Sequence, residues 1–210
     1  MSRFLRKLAL VLSLTAPGWA QAAVLDGVGT ADNLFNAYLS PTLDPSDGVL
    51  IAFGDDWGLP GYVDTSLSAL VEGQNYFLLV DAYNEAPGPA MFVGSFSISG
   101  GGFVFANGGT TLGTDTAHWT SSTQSFAAAT GKPYDMTSSG LWSTYLDGYA
   151  GAAIWAYKAN WVTGLQGHAY FVTRITATTA AVPEPASAVL LIAGAGCLVA
   201  LARRRRRRPD

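Results

Sequence analysis

Two histidines, His118 and His168, are the only imidazoles of the 210-residue sequence, the side chain whose ordinary pKa suits proton transfer near neutral pH, and the single cysteine, Cys197, lies in an apolar stretch outside the body of the chain. Hydrolysis by a covalent route needs a hydroxyl or thiol against a histidine that a carboxylate orients. No motif here supplies that arrangement. The sequence has no G-x-S-x-G elbow, no H-E-x-x-H pair, and no glycine-rich loop followed by Lys-Ser or Lys-Thr. His118, in Ala117-His118-Trp119, reads as an exposed side chain in a polar loop, and His168 as a rim residue opening the last strand. A hydrolase would require one of them to meet a carboxylate and a nucleophile in a cleft. The expectation is a protein that is not an enzyme.

Carboxylates and aromatic rings offer binding chemistry instead. Asp44 and Asp47 in DPSDG, and Asp55 and Asp56 in GDDWG, are clustered in turn sequence. Oxygen ligands on loops are what Ca²⁺ takes, so these four are the calcium candidates. Turns use Asp and Gly for their own backbone reasons, and the spacing departs from an EF-hand loop. No other cofactor is expected. The body of the chain holds 23 of the 25 aromatic residues. Flat ring faces beside a few oriented polar groups suit pyranose rings. Trp119 and Trp142 stand in polar, loop-like sequence, and Asp81, Tyr83 and Asn84 follow a strand, so these five are the candidate glycan contacts. Trp57 and Trp155 read as plugs of the core.

The elements that must hold these residues are strands. Between the two ends the chain is rich in Gly, Ser, Thr and aromatics, and short β-branched and aromatic runs alternate with turn residues. Strands are predicted at 34–39, 49–53, 76–82, 91–99, 103–106, 152–159 and 169–177. A hairpin or bulge is expected at Gly100-Gly101-Gly102, a helical turn at 66–70, and long loops over 110–146. The fold class is all-β: one jelly-roll-like β-sandwich over 23–180, long enough for a core without disulfides.

Charge is segregated along the chain. Three basic residues face thirteen acidic ones in the body, a net charge of −10, while nine of the twelve basic residues lie at the ends. An acidic body repels nucleic acid, so no nucleic-acid partner is expected. Arg3, Arg6 and Lys7, an apolar stretch over 8–15, and Ala20-Gln21-Ala22 read as a secretory signal over 1–22 in helical form, cleaved after Ala22 or Ala23. Residues 186–202 carry no charge and span about 25 Å as a helix at ~1.5 Å per residue, short for a hydrocarbon core of roughly 30 Å. Snorkelling arginines can make up the difference. Arg203, Arg204, Arg205, Arg206, Arg207 and Arg208 would hold that end of a single transmembrane helix in the cytoplasm. Pro183 and Pro185 enforce extended backbone around Glu184 just outside the bilayer.

Val182-Pro183-Glu184-Pro185-Ala186-Ser187, the short apolar span and the terminal arginines together resemble the PEP-CTERM sorting signal, here over 181–210. The resemblance implies an exosortase partner, transient insertion in the inner membrane of a Gram-negative bacterium, and cleavage near the Pro-Glu-Pro triplet. Delivery to the cell surface or the exopolysaccharide matrix of a biofilm would follow. Within the body, Asp32-Asn33, Asp55-Asp56-Trp57, and Phe105-Ala106-Asn107-Gly108 resemble a β-sandwich of the galactose-binding-like, jelly-roll type. Where that pattern has two tryptophans flanking an isoleucine, this chain has Ala153-Ile154-Trp155. The expected function is a non-catalytic surface or matrix protein, with a glycan-binding module as the alternative and an extracellular hydrolase behind both.

Overall fold

The computed structural model describes residues 22–85, 88–137, 148–158 and 166–178. The predicted signal segment, the span over 186–202, the Pro-Glu-Pro motif, the arginine run and Trp142 lie outside the described residues. Residues Gln21–Thr178 form one compact unit. Among the described residues no helix is long and apolar enough to cross a membrane.

The described chain is all-β, with strands β1 (Ala23–Asp32), β2 (Leu34–Ser40), β3 (Val49–Gly54), β4 (Gly61–Tyr62), β5 (Ala69–Leu70), β6 (Tyr76–Asn84), β7 (Met91–Ser99), β8 (Phe103–Phe105), β9 (Thr111–Gly113), β10 (Thr120–Ser122), β11 (Tyr134–Asp135), β12 (Ile154–Trp155) and β13 (Gly167–Ala177). They form two sheets. One runs β11-β12-β7-β1-β4, with β5 also on β1 and β9 on β7; the other runs β10-β13-β6-β2-β3, with β8 on β13. The long pairs β1–β7, β6–β13 and β2–β6 are antiparallel.

The period of two along β6 explains the layering. Tyr76, Leu78, Val80, Ala82 and Asn84 point inward and are buried. Phe77, Leu79, Asp81 and Tyr83 take the outer face. Between the sheets, rings interlock: Phe92 of β7 lies 5.6 Å from Phe171 of β13 and 5.7 Å from Phe35 of β2. Trp155 of β12 meets Phe171 at 6.0 Å. Such stacked, tilted and edge contacts add to the burial of large apolar surfaces.

Several expectations change. β1 is absent from the predicted strands because Gly27 and Gly29 interrupt its apolar pattern. Those glycines let neighbouring rings lie over the strand: Phe96 stands opposite Gly27, and a Cβ at Gly29 would sit 3.2 Å from the Phe92 ring. Gly100-Gly101-Gly102 makes no hairpin. β7 belongs to one sheet and β8 pairs with β13 in the other, so the glycines turn the chain across the sandwich, with φ of +83° at Gly100 and +91° at Gly102. The predicted helical turn at 66–70 is a turn followed by β5, the described part of the strand predicted at 152–159 is strand only over β12, and the described part of 110–146 holds three short strands. Trp155 is a core plug; Trp57 is 38 % exposed and is not.

Candidate functional site

The calcium candidates divide between two turns. Asp44 caps the short 3₁₀ turn at Pro45–Asp47: its Oδ1 accepts from the Ser46 amide at 2.9 Å and the Ser46 hydroxyl at 2.7 Å. Those bonds hold the Asp44 carboxyl below its usual range. Asp47 Oδ2 accepts from the Thr42 hydroxyl at 2.7 Å, and Asp56 Oδ1 from the Gly58 amide at 2.8 Å. β3 separates the pairs by about 20 Å at ~3.3 Å per residue, so the four cannot share one ion. Among the described residues no three His, Cys, Asp or Glu side chains converge as a metal site.

Trp119 corrects the sequence reading. It is 1 % exposed, packs on Phe96 at 5.9 Å and Phe92 at 6.1 Å, and its Nε1–H donates to the Gly113 carbonyl at 3.1 Å. The polar neighbours that suggested a loop ligand are surface residues around a buried ring. Asn84 is also corrected: at 2 % exposure it points inward by the period of β6.

Asp81 and Tyr83 do come together, on the outer face of the six-stranded sheet. The β6–β13 register sets Tyr83 against His168 and Asp81 against Tyr170. His168 Nδ1 lies 2.6 Å from Asp81 Oδ1, and because a carboxylate only accepts, the imidazole N–H donates. The His168 ring stacks on Tyr170 at 5.6 Å and 9°, and meets Tyr83 at 4.6 Å. Gln166 Nε2 donates to the Tyr83 hydroxyl at 3.0 Å. Partial burial pushes the Asp81 carboxyl up, opposed by its hydrogen bond and charge interaction with His168. Burial, and then the Asp81 charge, raise the Tyr38 and Tyr170 hydroxyls.

The lower half of this face is covered. Phe126, from the segment after β10, packs edge-on against Tyr170 at 5.1 Å and joins Leu79 and Val172 in a small satellite core. Among the described residues Asn36, Asp81, Tyr83 and His168 lie outside this cluster, and Tyr170 stands at its border. Sequence reasoning found Asp81 and Tyr83 and treated His168 as a rim residue. Tyr170 it missed, although its alternation with His168 in the last strand was readable.

His118 also holds a carboxylate: Asp115 Oδ2 lies 2.7 Å from its Nδ1. Burial acts to raise Asp115, but bonds from the His118 ring and the His118 and Ala117 amides outweigh it and hold the carboxyl below its usual range. Among the described residues no serine or threonine hydroxyl is hydrogen-bonded to either imidazole ring.

Comparison with known proteins places one feature. Residues 181–207 match the PEP-CTERM protein-sorting motif. No curated protein and no solved structure matches the chain at a significant level. The motif marks an exosortase-targeted protein that is exported and sorted to the cell surface.

Proposed function

We propose that the chain is a non-catalytic component of the cell surface or exopolysaccharide matrix, held only transiently by its tail. Residues 186–202 would insert in the inner membrane, Arg203 to Arg208 would stay cytoplasmic, and an exosortase would cut near Pro183-Glu184-Pro185. The sorting motif carries this reading. Fractionation of a native exopolysaccharide-producing host tests it: the full chain should reach the surface or matrix, and a chain lacking 181–210 should not.

A second reading, a glycan-binding module, is favoured by one specific observation. Asp81, Tyr83, His168 and Tyr170 put a carboxylate, a phenol and stacked rings on one outward sheet face. The body would then be a jelly-roll module of the galactose-binding-like type, a placement supported by two antiparallel sheets enclosing an aromatic core.

A further inference from the structure

We infer that the outer face of the six-stranded sheet beyond the Phe126 cluster binds a linear, uncharged glycan laid across the strands, its rings running from Phe53 to Tyr170. This rests on the glycan-binding reading and deepens it.

Register supplies the row. Phe53 of β3 stands opposite Asn36 of β2, Asn36 opposite Asp81 of β6, and Asp81 opposite Tyr170 of β13. Three strand-to-strand steps of about 4.8 Å make about 14 Å, the reach of about three pyranose rings. Each end of the row is aromatic. Phe53 is 62 % exposed and shares an exposed apolar patch with Leu59 and Tyr62, the kind of surface that marks a binding site. At the far end Tyr170 and His168 lie parallel with Tyr83 beside them. Between the ends, Asn36 offers an amide and Asp81 has acceptor capacity beyond the bond it takes from His168. Rings for sugar faces and polar groups for hydroxyls thus alternate along one line.

Charge selects among glycans. The row contains one carboxylate, Glu85 follows at the end of β6, and the only cationic side chain of β13, Arg174, sits over Phe77 at 5.7 Å, away from the row. An acidic body of net charge −10 opposes uronate chains and also a second copy of itself. A ribbon-like β-1,4-linked hexopyranose chain shows ring faces along its length and suits a pleated surface. Past Phe53 the row opens into a groove of about 570 Å³ lined by Leu50, Phe53, Leu59, Tyr62 and Leu67, where a longer chain would continue.

The test is calorimetric titration of the full chain in lipid nanodiscs. The probes are β-1,4-linked glucose and N-acetylglucosamine series from monosaccharide to pentasaccharide, with oligogalacturonate as the anionic control. Affinity should climb steeply to the trisaccharide and then flatten. Phe53→Ala and Tyr83→Ala should each weaken trisaccharide binding by about tenfold or more, as loss of a stacked ring implies, with unchanged circular dichroism. Tyr62→Ala should weaken only the longer chains. Binding that ignores chain length and survives Phe53→Ala would overturn the row while leaving a glycan-binding protein. Oligogalacturonate binding as tight as the neutral chains would overturn the charge argument. No binding to any member, with the fold intact, would remove the glycan reading and the row together.

Discussion

Replacing Trp119 by alanine decides whether this ring is core or surface. The indole is 1 % exposed, contacts two phenylalanines and donates to the Gly113 carbonyl. A buried aromatic side chain removes about 150–250 Å² from water, which at ~25 cal/mol per Å² is about 4–6 kcal/mol as an upper bound. Partial collapse of the cavity brings the expected loss to about 3–5 kcal/mol. A domain of this kind has about 5–15 kcal/mol in total, so the variant would lose a large share of its stability. Trp119→Phe keeps most of the ring and strands the Gly113 carbonyl, which should cost about 1–3 kcal/mol. Urea unfolding of parent and variants, followed by far-ultraviolet circular dichroism because the fluorophore is altered, gives both numbers. An alanine variant within about 1 kcal/mol of the parent would refute the reasoning, since a surface tryptophan behaves that way.

Three further outcomes are expected. Gly61→Ala should destabilise by about 1–3 kcal/mol in the same assay, because a Cβ there overlaps the Phe53 carbonyl and lies 2.8 Å from the Phe35 ring; a neutral effect would mean that β4 does not lie against β3. Burial raises Asp32 from 3.8 to about 6, so the folded state holds this proton more tightly than the unfolded chain. Its contribution to stability therefore falls as pH rises from 3.8 to about 6 and is constant above. Unfolding of parent and Asp32→Asn across that range should show the gap in favour of the variant widening with pH and then levelling; a gap that narrows would contradict it. Chelation by EDTA should leave the melting temperature unchanged, because Asp44 and Asp56 cap turns. A rise of several degrees on adding calcium would instead show that the folded chain binds the ion.

The long strands were legible because a two-residue period shows in their own residues. Tyr76 to Asn84 and Met91 to Ser99 write their burial in alternation. β1 was hidden, since Gly27 and Gly29 look like breakers until Phe96 and Phe92 are known to cover them. Trp119 misled for a related reason: polar neighbours describe local exposure, whereas its burial comes from β7 across the sandwich. For the candidate site, alternation on β6 put Asp81 and Tyr83 on one face and should have turned Asn84 inward. The pairing of β6 with β13, which brings His168 to Asp81, joins residues 87 apart in the chain, and no local pattern announces it.

Intact mass spectrometry of the protein from an exopolysaccharide-producing host, with and without its exosortase, tests the central claim most directly. The account predicts a species ending near Pro183 to Ser187 only when the enzyme is present. A full-length species still carrying Arg203 to Arg208 in both strains would make the chain a permanent membrane protein and contradict its assignment to the surface or matrix.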